Sequence, residues 1–314
     1  MANIVSKAQK LLKNGKYRDL SKTAINYIRF CFIKAWFTLS FKEMESNLKK
    51  TNKDWIIYTY FKAKYASFLK THTRKTNEKH EYSNIIWWCW LQGEENAPEL
   101  CKAGLESIRR EMKGKEVRII TNENLFDYVN FPPFIIEKYK KGIIGQAHFS
   151  DLLRLELLIK YGGTWIDSTV FCTANPEYAF NIPLFVFKTN ERNDPGIAGQ
   201  NWFMSAEKEN PILILTRDLL HNYWKKHNSA IHYFIFYFFM KLASEFYKDE
   251  WDEIPWFPDL PPHIMQRELN KQFSEKRWKE LCRMSDIHKL SYKIELKNNC
   301  DSIYSHIINP GIQG

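Results

Sequence analysis

The chain has 314 residues and a mass of 37.6 kDa, enough for one large domain or for a domain with an appended segment. Hydrophobic residues make up 44% of it and aromatic residues 16%, which excludes a disordered or low-complexity protein. The net charge of +10 first suggests nucleic acid or an anionic membrane as a partner.

The positive charge is concentrated in the first quarter of the chain. Residues 1–80 hold 18 Lys and Arg against 5 Asp and Glu, a net charge of +13, whereas the remainder carries −3. No RNA-recognition motif accompanies this charge, so we expect no nucleic-acid partner. The sequence therefore divides into a basic helical region, 1–80, and a nearly neutral domain, 81–314.

Apolar periodicity predicts helices in the basic region. Residues 4–16 have apolar side chains at helical spacing with lysines beside them, which is typical of a short amphipathic helix. The apolar segment 24–41 contains Arg29 and Lys34 and is too short and too charged to span a bilayer. Two interpretations stay open: the helices lie on an anionic membrane surface, or they pack as a bundle on the domain.

Cysteine usage indicates a reducing compartment. The 6 cysteines form no CxxC pair and no cluster at zinc-ligand spacing, and no cleavable signal peptide is recognisable. We therefore expect reduced thiols in a cytoplasmic protein. From the charge of the basic region we expect this protein to associate peripherally with the inner face of the cell membrane.

A strand–helix–strand unit begins the second domain. Ser83–Leu91 is a short apolar run typical of a buried strand, Glu99–Met112 has a helical period, and Val117–Thr121 is a second strand. This order predicts an α/β domain with a parallel sheet, whose ligands bind beyond the carboxyl ends of the strands. The side chains at those ends, which we assign to nucleotide binding, are Trp90, Gln92 and Thr121. For a tryptophan in such a strand, core filling is the more common role.

The segment 148–169 contains a helix followed by a chain reversal. Ser150 can cap the N-terminus of a helix that continues to Lys160. Gly162 and Gly163 can adopt the positive φ angles that end this helix and return the chain as a short strand.

Three charged side chains are expected to meet at one end of this segment. A helix rises about 1.5 Å per residue and a strand about 3.3 Å, so the short strand returns Asp167 to the level of Asp151 and Arg154. The same residues would also be explained without a functional site, if Asp151 and Arg154 form an ion pair within the helix and Asp167 is a turn residue. The combined pattern with its Gly-Gly reversal favours a site.

These residues carry a resemblance to a known family. Segments 150–154 and 161–167 resemble the donor-site signature of glycosyltransferase family 32, most closely its bacterial capsular polysaccharide branch and more distantly the glucosylating domains of large clostridial toxins. Segments 85–93, 201–211 and 254–266 are similar to the same branch. The resemblance implies a GT-A fold with a Rossmann-like nucleotide-binding domain, a UDP-sugar donor, a Mn²⁺ or Mg²⁺ ion, and transfer with retention of anomeric configuration.

The resemblance also implies a role for each matching residue. Asp151 and Arg154 match the pair that holds the hydroxyls of the donor sugar and orients the diphosphate. Asp167 matches the first Asp of the Asp-x-Asp metal motif, and Thr169 stands where many relatives have the second, so these two are the expected metal ligands. A divalent cation needs few protein ligands when phosphates and water complete its shell. The remaining motif residues assigned to the donor are Gly163, Trp165 and Ser168.

Residues outside the signature give further candidates. Asn201 follows a glycine-containing loop and could contact the reacting sugar or the acceptor hydroxyl, or stabilise a turn. His263 lies in a proline-containing loop and could meet a phosphate, or be structural. The chain has His232 and Tyr237 where the capsular branch is expected to have an acid and a histidine, so no acceptor role is carried over to these positions. A different acceptor is one explanation of this departure.

Together these features predict a retaining, metal-dependent hexosyltransferase. It would move glucose or galactose from UDP-glucose or UDP-galactose to a polyprenyl-diphosphate-linked saccharide at the anionic inner membrane, in capsular or surface polysaccharide synthesis. One alternative is a toxin-like enzyme that glycosylates a protein and uses the same donor site. The other is a non-catalytic basic membrane-binding protein, which would bind no UDP.

Overall fold

The computed structural model describes residues 24–33, 53–74, 80–189, 196–294 and 301–309. The amphipathic helix predicted at 4–16 lies outside these ranges, as does the predicted segment 24–41 from residue 34 onward. Within the described ranges, the five cysteines are free thiols. No helix in these ranges is both long enough and apolar enough to cross a membrane.

The described residues form an α/β structure with eleven α-helices and seven strands. The helices are α1 (24–33), α2 (Lys53–Thr71), α3 (Glu99–Glu111), α4 (Leu125–Tyr128), α5 (Pro133–Lys140), α6 (Gln146–Tyr161), α7 (Pro211–Lys226), α8 (Ile235–Phe246), α9 (Lys248–Asp252), α10 (Glu275–Met284) and α11 (Ile303–Ile308). The strands are β1 (Ile85–Cys89), β2 (Glu116–Ile120), β3 (Gly163–Ile166), β4 (Val170–Cys172), β5 (Leu184–Lys188), β6 (Gly199–Ala206) and β7 (Ile287–Lys289).

The main sheet has the strand order β2-β1-β3-β6-β5. The predicted unit of β1, α3 and β2 is confirmed, since β1 pairs in parallel with β2 and also with β3. The expected parallel sheet is present in β2, β1 and β3, whereas β6 runs antiparallel to both β3 and β5. Strands β5 and β6 are consecutive along the chain, and the ten residues between them are too few for the crossover that a parallel pair needs.

The predicted helix and chain reversal in segment 148–169 are present, with one correction. Helix α6 begins at Gln146 with Gly145 at its N-cap, so Ser150 lies one turn inside the helix rather than capping it. At the other end Gly162 and Gly163 have φ angles of +66° and +92° and turn the chain into β3. A Cβ on Gly163 would lie 2.4 Å from the carbonyl oxygen of Ile85, so β1 approaches too closely for any other residue there.

The described helices of the basic region pack on the domain. In α2 the ring of Phe61 stacks on Phe239 of α8 at a centroid distance of 5.0 Å, and both side chains are buried. In α1 the guanidinium of Arg29 donates to the Tyr223 hydroxyl at 3.2 Å, and the Asn26 amide donates to the carbonyl oxygen of Ala230 at 2.7 Å. These contacts agree with the helical-bundle interpretation, while the boundary at residue 80 stays a prediction.

A small second sheet connects the C-terminal part of the chain to the segment after β3. Strands β4 and β7 pair antiparallel, with Val170 opposite Lys289. The backbone N–H of Leu290 also donates to the carbonyl oxygen of Thr169 at 2.8 Å. This pairing places the end of β7 beside the loop that contains Asp167.

Candidate active site

A cavity of about 840 Å³ opens beyond the carboxyl ends of β1 and β3 and is closed on one side by the chain that follows β7. Its volume is within the range of small-molecule sites. The predicted site residues in its lining are Trp90, Gln92, Asp151, Arg154, Trp165, Asp167, Ser168, Thr169, Asn201 and His263.

Two predicted donor-binding residues are absent from the cavity lining, and both have structural roles. The Thr121 hydroxyl accepts a hydrogen bond from the backbone N–H of Glu123 at 3.2 Å, within the turn that leads into α4. Gly163 is buried at the opposite end of β3 from Asp167, against Ile85. The rule that strand ends face a ligand holds for β1 and β3 but not for β2, which lies at the edge of the sheet.

Arg154 is buried and contacts several groups of the site. Its Nη1 donates to the carbonyl oxygen of Asn201 at 2.5 Å. Its Nη2 lies 3.5 Å from Asp151 Oδ1 and 3.4 Å from Asp167 Oδ1. The guanidinium also lies over the ring of Trp165, 5.0 Å from its centroid. The predicted convergence of two carboxylates and a guanidinium is therefore present.

The Asp167 carboxylate accepts hydrogen bonds from several donors. Trp165 Nε1 donates to Oδ1 at 2.8 Å, and Lys289 Nζ donates to Oδ2 at 2.7 Å. Burial alone raises the pKa of Asp167, but the positive charges of Lys289 and Arg154 and these hydrogen bonds outweigh it. The pKa is held below its usual range, and Asp167 is ionised at neutral pH. Trp165, itself buried, thus orients Asp167.

Asp151 belongs to a chain of hydrogen bonds that passes through Asn201 to α8. The Tyr237 hydroxyl donates to Asn201 Oδ1 at 2.6 Å, and Asn201 Nδ2 donates to Asp151 Oδ1 at 2.8 Å. Burial raises the pKa of Asp151, against the nearby Arg154 charge, and burial also raises the pKa of Tyr237. The Asn201 amide is thereby held in one orientation at the wall of the cavity.

Lys289 is the functional candidate that the sequence analysis missed. Its ammonium group donates to Asp167 Oδ2 and, at 2.5 Å, to Thr169 Oγ1. It lies 122 residues from Asp167 along the chain. No motif surrounds it, so only the pairing of β7 with β4 reveals its position.

The side chains present do not fit a resident divalent cation. Within the ranges given above, no three His, Cys, Asp or Glu side chains are grouped as a metal site. The two expected metal ligands, Asp167 and Thr169, both accept hydrogen bonds from the ammonium of Lys289. Divalent Mg²⁺ and Mn²⁺ prefer oxygen ligands free of a competing cation. The role of Mn²⁺ or Mg²⁺ therefore stays a prediction from the resemblance alone.

Aromatic and imidazole side chains line other parts of the cavity. The ring of Trp90 lies edge-on to Tyr292 with centroids 5.7 Å apart, and its indole Nε1 is buried without a partner. His263 contacts the ring of Trp202, and burial together with the Lys289 charge lowers the pKa of His263. Burial thus favours the neutral form of the His263 imidazole.

This chain is similar to a known protein family, to a curated protein and to a solved structure. Residues 38–307 match the family described as capsular polysaccharide synthesis protein. A curated relative, the O-glycosyltransferase braB of Annulohypoxylon truncatum, is 25% identical over 180 residues, which cover 51% of this chain and 41% of that protein. A solved structure, the PaToxG glycosyltransferase, aligns with a TM-score of 0.38 and 14% identity over 74% of this chain and 95% of its own. The more specific assignment to glycosyltransferase family 32 stays a prediction.

Proposed function

The chain belongs to the capsular polysaccharide synthesis protein family, and from this premise we propose that it is a glycosyltransferase that uses a nucleotide-diphosphate sugar. The donor is a UDP-hexose, either UDP-glucose or UDP-galactose. The acceptor is a saccharide on a polyprenyl-diphosphate lipid. The similarity to an O-glycosyltransferase over part of its length supports the reaction class.

The observation that carries this proposal is the cluster of Asp151, Arg154 and Asp167 in the cavity. A sugar donor has a polyhydroxyl ring joined to a diphosphate, and these three side chains offer hydrogen-bond acceptors for the hydroxyls and a buried cation for the phosphates. The cavity of about 840 Å³ has room for a nucleotide sugar, and the aromatic Trp90 at its wall offers a face or edge to the base.

In the proposed reaction the bond between the anomeric carbon and the β-phosphate oxygen breaks, and the acceptor hydroxyl oxygen bonds to the same carbon. The leaving diphosphate takes the bonding electron pair, and its oxygen receives the proton of the acceptor hydroxyl. Attack from the face that the diphosphate leaves gives retention. The protein then acts by positioning the two substrates and by stabilising the charge of the leaving group.

The test is release of UDP by the purified chain from a panel of UDP-sugars, measured with and without added Mn²⁺. We expect the Asp167→Asn substitution to lower this turnover about 100-fold or more, because it removes the charge that orients Arg154 and Lys289. A matched control is Asp218→Asn, which removes a carboxylate paired with Arg217 on α7, outside the cavity lining.

The control variant is expected to keep the turnover of the unmodified chain. Equal rates for Asp167→Asn and the unmodified chain would refute the assignment of Asp167. If the chain releases no UDP and also binds no UDP in calorimetry, with or without Mn²⁺, a non-catalytic protein is favoured instead.

A further inference from the structure

The end of β7 is held at the cavity wall by backbone pairing. Lys289 stands opposite Val170 in the antiparallel ladder, and its neighbours Ile287 and Leu290 are buried. The backbone N–H of Leu290 donates to the carbonyl oxygen of Thr169 at 2.8 Å. The position of the Lys289 side chain is therefore set by a strand rather than by a surface loop, and the side chain is 18% exposed toward the cavity.

The ammonium of Lys289 occupies the place between the two expected metal ligands. Nζ donates to Asp167 Oδ2 at 2.7 Å and to Thr169 Oγ1 at 2.5 Å. The other carboxylate oxygen, Oδ1, accepts from Trp165 Nε1 at 2.8 Å. A divalent cation bound at about 2.0–2.6 Å from the same oxygens would have to displace the ammonium, because two cations cannot share these ligands without strong repulsion.

The carboxyl groups that face this part of the cavity are each paired with a cationic side chain. The carboxylates of Asp151 and Asp167 are matched by Arg154 and Lys289, with contacts of 2.7 to 3.5 Å. Lys293, four residues beyond Lys289, also lines the cavity. A diphosphate that enters would therefore meet two fixed cations and a third nearby.

We propose that Lys289, with Arg154, provides the positive charge that binds the donor diphosphate and stabilises its departure, in place of a divalent metal ion. The inference rests on the proposed transfer from a nucleotide-diphosphate sugar. Asp167 then orients the ammonium, and the ammonium contacts the β-phosphate oxygens, where charge develops as the glycosidic bond breaks. Lys289 acts through its positive charge, which the strand holds in a partly buried site.

The first experiment compares the unmodified chain in excess EDTA with the same chain in Mn²⁺ or Mg²⁺. The measured quantities are the rate of UDP release from the preferred UDP-sugar and the affinity for UDP by calorimetry. We expect both to agree within about twofold between the conditions. A loss of tenfold or more in EDTA that Mn²⁺ restores would overturn the proposal.

The second experiment removes the charge and keeps the length of the side chain in Lys289→Met. We expect kcat/KM to fall about 10²- to 10³-fold and the affinity for UDP to fall about tenfold or more. The affinity for uridine, which has no phosphate, should stay the same, and Lys289→Arg should recover part of the loss. The matched control, Lys279→Met, removes an exposed lysine of α10 that pairs with Glu275 and should behave as the unmodified chain.

The two experiments separate failure of this inference from failure of the proposed function. UDP binding and turnover that occur only with metal would leave the glycosyltransferase assignment standing and overturn the role of Lys289. Unchanged UDP affinity in Lys289→Met would also overturn the role of Lys289. An equal loss of uridine and UDP affinity would overturn it too, because that outcome indicates a structural role. Absence of UDP binding and turnover in every condition would overturn both.

Discussion

At the scale of single residues, the site is organised by side chains that fix other side chains. Trp165 and Lys289 donate to opposite oxygens of Asp167, and Arg154 is held by the carbonyl oxygen of Asn201. Such contacts limit the rotamers of the charged groups, so little reorganisation is needed when a charged ligand binds. Asn201 has a second role, because its side chain connects Asp151 to α8.

The Tyr237→Phe substitution tests this connection. The hydroxyl of Tyr237 donates to the buried Asn201 Oδ1 at 2.6 Å, and its removal leaves that oxygen without its donor at a cost of about 1–3 kcal/mol. The amide can then turn and release Asp151. We expect kcat to fall about tenfold with a smaller change in the KM for the donor, measured by steady-state UDP release.

The control for this substitution is Tyr82→Phe, which removes a hydroxyl from a tyrosine that is 40% exposed and not part of the cavity lining. It should leave kcat unchanged. If the two variants have the same kcat, Tyr237 does not position the Asn201 amide for the reaction.

At the scale of elements, the spacing of residues within short segments predicted the helices and strands that those segments form. The spacing of apolar residues and the Gly-Gly pair predicted five elements: β1, α3, β2, α6 and β3. The rise per residue of a helix, compared with that of a strand, predicted that Asp167 lies beside Arg154. Ser150 was misplaced as a cap because helix α6 continues one turn further toward the N-terminus, where Gly145 gives no side-chain signal. Lys289 could not be found, because its position depends on pairing between strands that are distant in sequence.

Gly163 gives a test of the close approach between β1 and β3. An alanine at this position would have a positive φ of +92° and a Cβ 2.4 Å from the backbone oxygen of Ile85. We expect Gly163→Ala to lower the free energy of unfolding by about 2 kcal/mol or more, measured by denaturant unfolding.

Gly114→Ala is the matched control for this substitution. Gly114 has a similar φ of +87°, but no atom lies within 4 Å of its added Cβ. Gly114→Ala should lower the free energy of unfolding only by the cost of an alanine at positive φ, about 1–2 kcal/mol. Equal losses in the two variants would mean that the contact with Ile85 relaxes freely and that glycine is required for φ alone.

At the scale of the whole molecule, the net charge of +10 conceals two regions of different character. The +13 of residues 1–80 lies on a region whose described helices contact the domain, and α1 does so through the face that carries Asn26 and Arg29. On α1 the opposite face presents Ile25, Ile28 and Phe32, which are 52%, 55% and 73% exposed and follow one helical stripe. An exposed apolar stripe within a basic region is the combination that anionic bilayers bind, and we propose that this face meets the membrane that holds the acceptor.

Substitution of this stripe tests the membrane contact. In a sedimentation assay, the unmodified chain should pellet with vesicles of mixed phosphatidylcholine and phosphatidylglycerol. Its binding to the vesicles should weaken when salt is added or when the anionic lipid is left out. The double substitution Ile28→Ser with Phe32→Ser should lower the partition coefficient about tenfold or more, because burial of each side chain in the interface contributes roughly 1.5–3 kcal/mol. Phe126→Ser removes an aromatic side chain of similar exposure, 54%, from α4 and should leave binding unchanged. Equal binding by all three proteins would show that charge alone attracts the chain to the vesicle and that the stripe of α1 does not enter the lipid.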